Sequence, residues 1–367
     1  LIMWNVLAQL VPVRIRGKKK RAAVFGGSAA AVAVFIGGFY TVLVPKLGLE
    51  VNLWDPTTSY AENGYVLASA VSLKYLVKKA PEGYSQAKIQ EIYEKYVGNE
   101  EEQNEETAAA VEAGDAVQPT NIICIMNESL SDLSVDGELT TNTEYFPFLN
   151  SLTENTVKGK LCMPVFGAMT SNSEFEFLTG CTKTFLPGNP YLQYIDDYLP
   201  SVISNIKSQK GYGEAVAVHP YNPSGYNRNR VYPLLHFDRF LSIDDFKNPL
   251  LIRDYISDKS DYEKIIDLYK NKKKDKSLCV FNVTMQNHNP YNFDYVSDVK
   301  VTDFSVSSQV EQYLSLMRKS DDALKELITY FKKSDEPAII LVFGDHQPHL
   351  PDSFYEKLFG KNPVQFS

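Results

Sequence analysis

Three side chains in this sequence have the chemistry of a divalent-metal site. Glu128 follows the apolar run NIICIMN, and the adjacent pair Asp345 and His346 follows the run AIILVFG. Two carboxylates and an imidazole suit Mn²⁺, Zn²⁺ or Mg²⁺, and the oxygen ligands favour the first and last of these. A single Glu after a strand is more often a surface or capping carboxylate. The Gly-Asp-His triplet is more specific, because Gly344 permits close backbone approach while both following side chains project into a crevice.

Thr170 is a candidate nucleophile. It precedes Ser171 and Glu174, which fit the S-x-x-E capping box that begins a helix. We therefore expect Thr170 to stand directly before a helix N-terminus, where free amides and the helix dipole favour negative charge. A hydroxyl there that also touches a divalent metal can lose its proton and attack an electrophile. The alternative is an ordinary N-cap threonine.

The loop HPYNPSGYNRNRVY carries a third group of candidates, namely His219, Tyr226 and Arg228. An arginine can hold a phosphate or sulfate through two hydrogen bonds. A plain surface loop is the alternative. His288 ends another apolar run, LCVFNVTMQNH, and joins this group as a further polar side chain after a strand.

Four short apolar, β-branched runs explain how these residues could meet. The runs begin at Asn121, Glu214, Leu278 and Ala338, and helical stretches separate them. Strands that alternate with helices predict an α/β domain with a central, largely parallel sheet flanked by helices. Ligands bind beyond the carboxyl ends of such strands. Because each run ends in one of the candidate side chains, we expect one site at that edge.

Residues 22–45 contain no charge and predict a transmembrane helix, since about 20 helical residues cross a hydrocarbon layer of about 30 Å. Six bases lie between Arg14 and Arg21, which places that end in the cytoplasm and the chain after Pro45 outside the cell. A signal peptide, whose apolar core is shorter, and a buried helix are the alternatives. The apolar residues before Arg14 could end an earlier span, so the full-length protein is expected to be multi-pass.

These features divide the chain into five predicted parts. Residues 1–21 are the end of a preceding membrane segment and a basic cytoplasmic loop, 22–45 the transmembrane helix, 46–98 a helical extracellular stalk, 99–120 an acidic flexible linker, and 121–367 the catalytic domain. The linker carries seven acids and no base between Asn99 and Pro119. Leu1 and the loop-like end at Ser367 suggest a fragment, truncated at the C-terminus.

Composition excludes several classes of protein. The net charge of -8 gives no support for nucleic-acid binding, which usually needs a basic face. With 23 Tyr and 20 Phe the chain is not disordered, and four cysteines in 367 residues do not make a disulfide-stapled miniprotein. Cys124 and Cys279 are expected to be buried thiols. A disulfide between Cys162 and Cys181, which flank the Thr170 segment, is a less favoured alternative.

Five motifs together resemble one known family. NIICIMNES, TSNSEFEFLTG, HPYNPSGYNRNRVY, NVTMQNHNPY and FGDHQP occur in the order and spacing of the lipoteichoic acid synthase family, whose members are membrane-anchored enzymes of the alkaline phosphatase/sulfatase superfamily. The resemblance covers roughly Asn121 to the end. It implies a sulfatase-like fold, an extracellular catalytic domain at the cell membrane, and a transferase that serves cell wall biogenesis.

The resemblance implies a metal site and a head-group pocket. The ligands of one Mn²⁺, with Mg²⁺ or Zn²⁺ as alternatives, would be Glu128, Thr170, Asp345 and His346, and Thr170 would also be the nucleophile. The residues that hold the glycerol phosphate head group would be His219, Tyr226, Arg228 and His288. Tyr226 stands where the family often has tryptophan, and Tyr221 where a small polar or acidic residue is expected. Gln347 and Pro348 lean toward a paralogue branch.

The implied reaction moves glycerol phosphate from phosphatidylglycerol to a polyglycerolphosphate or glycolipid acceptor. Thr170 attacks the phosphorus, diacylglycerol leaves, and a hydroxyl of the acceptor then attacks the intermediate with His288 assisting proton transfer. The metal and Arg228 would stabilise the phosphoryl charge. The membrane anchor would raise the effective concentration of the lipid donor.

Four other functions compete with this one. A formylglycine sulfatase needs a C-x-P-x-R motif, and Phe166 replaces the arginine after Cys162. A phosphoethanolamine transferase also uses threonine and metal, but the loop from His219 to Arg228 favours the glycerol phosphate branch. Hydrolysis by water remains open. A non-catalytic surface-binding module is disfavoured, because all four expected metal ligands are present.

Overall fold

The computed structural model describes residues 17–49, 56–73, 83–97, 120–186 and 188–360. The chain forms two compact units, Leu1–Val77 and Lys78–Ser367, which are described separately. Almost all of the predicted acidic linker and the apolar segment before Arg14 lie outside the described residues. The predicted domain boundaries therefore stay predictions.

The first unit is helical. α1 (Lys18–Gly38) continues through a π-helical turn (Phe39–Leu43) into α2 (Val44–Lys46), and α3 (Pro56–Asn63) and α4 (Tyr65–Ser72) follow. Within the described residues, Lys18–Lys46 is the one helix long and apolar enough to cross a membrane, judged by length and composition. Large apolar side chains such as Phe25 and Phe35 are exposed along it. Such an apolar surface is costly to leave in water.

The second unit is an α/β domain. Its helices are α5 (Gln86–Val97), α6 (Pro147–Ser151), α7 (Thr170–Thr179), α8 (Pro190–Gln193), α9 (Val202–Ser208), α10 (Arg228–Leu234), α11 (Asp258–Lys270), α12 (Ser308–Phe331) and α13 (Asp352–Phe359). Short 3₁₀ turns occupy Leu133–Val135, Gly225–Asn227 and Ile243–Asp245. Its strands are β1 (Asn121–Asn127), β2 (Tyr212–Val218), β3 (Arg239–Leu241), β4 (Leu251–Ile252), β5 (Tyr255–Ile256), β6 (Ser277–Val283) and β7 (Ala338–Gly344).

Five of the strands form a wholly parallel sheet in the order β3-β2-β6-β1-β7. The predicted fold class, a central parallel sheet flanked by helices, is confirmed. β4 and β5 form a separate antiparallel hairpin. β3 has only three residues and was not predicted, because so short a segment gives no periodic signal.

The sheet is anchored by strands that are apolar on both faces. Every residue of the central strand β6 is buried, as expected for a parallel strand covered by helices on both sides. One core packs Ile123, Ile125 and Val280 of the sheet against Tyr262 of α11 and Leu324 of α12. This packing holds the carboxyl ends of β1, β2 and β6 at fixed positions, and those ends carry the candidate site residues.

All four cysteines are free thiols. Cys279 is buried and Cys124 is partly buried, and burial raises the pKa of each to about 12. Cys162 and Cys181 are exposed and unpaired, so the alternative of a disulfide between them is wrong for this structure.

Candidate active site

The ends of β1 and β7 bring the acidic candidates together. Asn127 and Gly344 are the last paired residues of these neighbouring parallel strands, so Glu128 and Asp345 leave the sheet side by side. A Cβ atom on Gly344 would lie 2.0 Å from the carbonyl oxygen of Leu130. The chain after Glu128 therefore passes directly over Gly344, and the predicted close backbone approach is confirmed.

Glu128, Asp345 and His346 form a buried group whose ligand atoms all lie within 4.8 Å of one another. We call these three residues the metal cluster. Nε2 of His346 lies 3.1 Å from Oδ2 of Asp345 and 3.7 Å from Oε1 of Glu128. Two carboxylates and one imidazole thus point their donor atoms at a common volume.

Hydrogen bonds from the surrounding chain fix the orientation of the cluster. Oδ1 of Asp345 accepts from the backbone N–H groups of Ser129 (2.7 Å) and His346 (2.9 Å), and the Ser129 hydroxyl donates to Glu128 at 2.8 Å. Nδ1 of His346 lies 2.8 Å from the carbonyl oxygen of Gln347. Because a carbonyl only accepts, Nδ1 carries the proton and Nε2 presents a lone pair, the tautomer of a metal ligand.

The cluster fits a divalent cation. Within the described part of the chain, the buried Oδ2 of Asp345 accepts no hydrogen bond, so it and the Nε2 lone pair of His346 face each other without a donor between them. Burial and the Glu128 charge raise the pKa of Asp345 to about 6. Burial lowers the pKa of His346, but the two carboxylates outweigh it and raise the pKa above its ordinary value. Both residues therefore favour an added positive charge.

Thr170 lies beside this cluster at the start of α7. It is buried, and its hydroxyl is near enough to help lower the pKa of Asp345. The residue before it, Met169, has φ 70° in the left-handed region, so the chain turns sharply into the helix. Ser173, in the first turn of α7, donates from its hydroxyl to the backbone carbonyl of Asp345 at 2.7 Å. The helix start is thereby tied to the metal cluster.

The predicted capping box is wrong in its residues. α7 begins at Thr170, with Met169 as the N-cap residue and no side-chain cap. The Ser171 hydroxyl instead accepts from the Asn189 amide at 2.6 Å. Glu174 turns away from the helix start toward Arg228, since a buried carboxylate needs a buried cation. Thr170 was expected directly before the helix; it is instead the first helical residue, so the helix begins one residue earlier than expected and Thr170 lies at its N-terminus.

Arg228 is fully buried and bound to Glu174. Its Nε donates to the Glu174 carboxylate at 3.0 Å, one terminal nitrogen makes a second bond to the same group, and the Tyr232 hydroxyl donates to Oε2 at 2.7 Å. In the described structure, the other terminal nitrogen of Arg228, Nη1, is buried without a hydrogen-bond acceptor. The two hydrogen bonds that Arg228 was expected to donate to a phosphate are thus donated to Glu174. Nη1 is the nitrogen left for a ligand.

His219 follows β2 and is also buried. Its Nδ1 lies 2.9 Å from the carbonyl oxygen of Val283, so Nδ1 carries the proton. Nε2 has no hydrogen-bond donor among the described residues. Burial and the Arg228 charge hold the pKa of His219 well below its ordinary value. His219 is therefore a neutral imidazole with a buried acceptor atom.

Tyr226 and His288 complete the set. Tyr226 has φ 53°, and the Arg228 guanidinium carbon lies 5.3 Å from the centre of its ring. Nδ1 of His288 lies 2.7 Å from the Asn289 carbonyl oxygen, which again makes Nε2 the unprotonated nitrogen. Burial lowers the pKa of His288 to about 4. The nearby charge of Asp345 opposes this shift, and that of His346 adds to it. Burial raises the pKa of Tyr226 above its ordinary value, and the charges of Glu128 and Asp345 add to that rise.

The structure thus brings all eight predicted site residues to one edge of the sheet. Sequence reasoning missed three that support them: Ser129, which orients Glu128 and Asp345; Ser173, which ties α7 to Asp345; and Glu174, which was taken for a helix cap. Apart from Glu128, which adjoins Ser129, their partners lie far away in the chain, so no local pattern identifies these roles.

Comparison with known proteins agrees with this geometry. The family pattern described as Sulfatase matches residues 120–364. The chain belongs to the sulfatase family. The match spans the whole parallel sheet and contains every residue of the site.

The chain is also similar to individual proteins. The chain is 30% identical over 305 residues to a putative cyclic beta-1,2-glucan modification protein of Rhizobium meliloti, covering 81% of this chain and 44% of that protein. It is 25% identical over 236 residues to lipoteichoic acid synthase 1 of Bacillus subtilis, covering 62% and 36%. The chain therefore spans less than half the length of these relatives. The predicted resemblance to lipoteichoic acid synthases is confirmed.

A solved structure shares the fold. The Streptococcus pyogenes phosphoglycerol transferase GacH, in complex with sn-glycerol-1-phosphate, superposes with a TM-score of 0.62 at 25% identity, covering 76% of this chain and 73% of that one. The sulfatase-like architecture predicted for this chain is confirmed by this likeness.

Proposed function

We propose that this chain is a metal-dependent phosphoglycerol transferase, which moves glycerol phosphate from phosphatidylglycerol to an acceptor hydroxyl through an intermediate on Thr170. The relatives named lipoteichoic acid synthase and phosphoglycerol transferase support the reaction class. The roles of the individual residues are argued from the geometry of the site.

The observation that carries the proposal is a set of buried polar atoms without partners in the described structure. Nε2 of His219 is an acceptor and Nη1 of Arg228 is a cationic donor. Buried polar atoms cost free energy unless a ligand satisfies them. A ligand that offers hydroxyl groups to the first and an anionic oxygen to the second matches glycerol phosphate.

The same atoms argue against ethanolamine as the head group. A bound ammonium group favours a carboxylate partner, and the carboxylate in contact with Arg228, Glu174, is already paired. Tyr221, where a small polar or acidic residue was expected, adds no negative charge; its ring centre lies 6.2 Å from that of His219.

Thr170 is suited to attack because it stands at the N-terminus of α7, beside Asp345. In the first step its oxygen bonds to phosphorus, the bond from phosphorus to diacylglycerol breaks, and the proton lost by Thr170 ends on the diacylglycerol oxygen. In the second step the acceptor hydroxyl bonds to phosphorus, the bond from phosphorus to the Thr170 oxygen breaks, and the proton of the acceptor hydroxyl ends on that oxygen. His288, with an unprotonated Nε2, can accept a hydrogen bond from that hydroxyl.

Glu128, Thr170, Asp345 and His346 would hold the metal, with Mn²⁺ or Mg²⁺ preferred by the oxygen ligands and Zn²⁺ as the alternative. When bound, such an ion supplies positive charge that lowers the pKa of a hydroxyl and stabilises phosphoryl oxygens.

The residues that would have to support a formylglycine sulfatase do other things in this structure. Cys162 is exposed, and the ring centre of Phe166 lies 5.2 Å from that of Tyr355. These two residues give no support to formylglycine chemistry.

Helix Lys18–Lys46 is proposed as a membrane anchor, with the basic residues at its N-terminal end in the cytoplasm and the catalytic domain outside the cell. An anchor keeps the enzyme at the surface where its lipid donor is found. The acceptor is proposed to be a polyglycerolphosphate chain. A glycan is the second candidate, because one relative is named for the modification of a cyclic glucan.

The test uses the complete 367-residue chain in liposomes that contain fluorescent phosphatidylglycerol and MnCl₂. The wild type is expected to release fluorescent diacylglycerol and to carry a glycerol phosphate adduct on Thr170, detected by mass spectrometry. Thr170→Ala should show neither signal. Thr179→Ala, which removes a hydroxyl from the other end of α7, is the matched control and should keep both.

Further arms separate the alternatives. Glycerolphosphate oligomers and cyclic glucan are offered as acceptors in parallel, and free glycerol phosphate as the sole product would indicate hydrolysis. Release from fluorescent phosphatidylethanolamine in preference to phosphatidylglycerol would indicate a phosphoethanolamine transferase. The proposal fails if Thr170→Ala releases diacylglycerol as fast as the wild type, or if no donor turns over.

A further inference from the structure

The hairpin formed by β4 and β5 carries an arginine that the proposed reaction does not use. Its two-residue turn consists of Arg253 and Asp254, and Arg253 has φ 54°. Two-residue hairpin turns favour a positive φ at this place, but glycine or asparagine normally supplies it. An arginine held in the left-handed region costs free energy, so its side chain must gain contacts elsewhere.

The side chain of Arg253 makes those contacts with the loop that carries His288. One terminal nitrogen donates to the backbone carbonyl oxygens of Gln286 at 2.5 Å and of His288 at 2.9 Å. The other donates to the carbonyl of Pro290 at 2.8 Å. The planar guanidinium thus binds three carbonyls on alternate residues, with His288 in the middle.

Three aromatic rings surround the same guanidinium. Its central carbon lies 5.2 Å from the ring centre of Phe293, 5.3 Å from that of Tyr255 and 5.6 Å from that of Tyr291. In the described portion of the chain Arg253 forms no salt bridge, so carbonyl dipoles and ring faces hold this charge.

Tyr255 extends the contact to the side chain of His288. Its ring centre lies 5.9 Å from that of His288, and its hydroxyl donates to the carbonyl of Asn289 at 3.3 Å. The Asn289 carbonyl is also the acceptor for Nδ1 of His288. The hairpin therefore contacts the main chain at His288, the ring of His288, and the carbonyl that fixes its tautomer.

From the interior, Asn287 holds the loop in place. Its amide donates to Oδ1 of Asn127 at 2.9 Å and to the Ser320 hydroxyl at 2.8 Å. Asn127 directly precedes the metal-cluster residue Glu128. The His288 loop is thus fixed to the metal-cluster end of β1 on one side and to Arg253 on the other.

We infer that Arg253 is a positioning residue that sets the direction of the His288 imidazole toward the reacting hydroxyl. The inference rests on the proposed function for the role of His288, but the placement of the ring is measurable without turnover. A group that assists proton transfer must lie within hydrogen-bond reach of the proton it moves, and a shift of about 1 Å can cost about 100-fold in rate.

The first test is spectroscopic and uses the complete chain with ¹³C- and ¹⁵N-labelled histidine. Only five histidines contribute signals, and His288→Ala identifies the signal of His288. Arg253→Met, which keeps an unbranched apolar stem but removes every donor, is expected to move the His288 ring signals while the other four stay in place. Arg253→Lys, which keeps the charge but not the fork, should move them less.

The second test is kinetic. Arg253→Met is expected to lower kcat for glycerol phosphate transfer about 10- to 100-fold with less than a threefold change in KM. The double variant Arg253→Met/His288→Ala should be no slower than His288→Ala alone, because residues that act as one unit are not additive. Arg318→Met, which removes a surface guanidinium that also donates to a backbone carbonyl, is the matched control and should turn over like the wild type.

The outcomes separate the two proposals. A wild type that turns over, with an unmoved His288 signal in Arg253→Met or with additive losses in the double variant, overturns the positioning role alone. A wild type without turnover overturns the proposed function, and the histidine spectra then decide the placement of the ring. If Arg253→Met fails to fold, Arg253→Lys carries both measurements, and wild-type kcat and spectra in that variant overturn the inference.

Discussion

The guanidinium of Arg228 is bound to the carboxylate of Glu174 inside the domain, and both side chains are 0% exposed. Tyr232 donates to the same carboxylate. Because Nε and one terminal nitrogen are used in this way, Arg228 presents Nη1 to the pocket in a fixed direction. A buried pair of this kind sets orientation, and removing one partner leaves an uncompensated charge.

Glu174→Gln is therefore expected to destabilise the domain. The change is nearly isosteric but leaves the Arg228 charge buried without a counter-charge, and such losses cost about 3–5 kcal/mol. Denaturant unfolding of the complete chain in detergent micelles, followed through its midpoint, measures the loss. Glu326→Gln removes half of an exposed pair with Lys259 and should cost under about 1 kcal/mol. Equal losses in the two variants would contradict the structural importance of the buried pair.

Gly344→Ala tests the close approach beside the metal cluster. A Cβ at this position would lie 2.0 Å from the Leu130 carbonyl oxygen, so either the end of β7 or the chain after Glu128 must shift. We expect a loss of about 1–3 kcal/mol in stability, typical of overpacking, and weaker Mn²⁺ binding by calorimetry. Gly159→Ala, where a Cβ meets nothing within 4 Å, is the control. Unchanged Mn²⁺ affinity in Gly344→Ala would show that this approach does not position the ligands.

Metal binding is expected to stabilise the folded chain. At a free Mn²⁺ concentration 100 times Kd the gain is about 2.7 kcal/mol, which appears as a rise in Tm. Glu128→Gln weakens one ligand and should abolish most of that rise, and EDTA should reverse it in the wild type. Asp322→Asn changes an exposed carboxylate paired with Arg318 and should leave the rise intact. The same Tm rise in Glu128→Gln as in the wild type would contradict the assignment of the cluster.

His219 is expected to make the fold sensitive to acid. Its pKa in the folded state is held well below 6.5, chiefly by burial, so the folded protein prefers the neutral ring. The stability that this preference contributes is fully present above about pH 6.5 and is lost as the pH falls below that value, because the unfolded chain takes up the proton first.

His219→Asn keeps a donor for the Val283 carbonyl and cannot titrate. The unfolding free energy of the wild type minus that of this variant should decrease as the pH falls from 7.5 to 5, because only the wild type loses the contribution of the neutral ring. Denaturant titrations at a series of pH values measure it. A difference that stays constant with pH would show that the ring is not held neutral.

The sequence could predict most of the site because each candidate residue follows a strand. Apolar β-branched runs mark buried parallel strands, and the carboxyl ends of such strands must share one edge. Glu128, His219, His288 and Asp345 were found by that rule alone, before any partner was known. A helix start next to Thr170 was also predicted, although one residue too late and for the wrong capping residues.

Other parts of the fold were less predictable. β3 is too short for a periodic pattern, and its place beside β2 depends on pairing with Val216, Ala217 and Val218. The S-x-x-E pattern at Ser171 fits a helix cap, but Glu174 pairs with Arg228 instead, because the buried guanidinium needs a counter-charge. The free energy of pairing a buried charge is larger than that of a local capping interaction, so the pairing decides the position of Glu174.

By itself, the sequence determined the chemistry available to this protein and the edge of the sheet where it gathers, because the positions of the main strands and their alternation with helices follow from the local hydrophobic pattern. Only the tertiary structure decided which groups are committed to one another and which are left for a ligand. Glu174 and Arg228 are 54 residues apart, and Arg253 and His288 are 35 apart. Pairings across such distances depend on packing of the whole domain, and no local pattern encodes them.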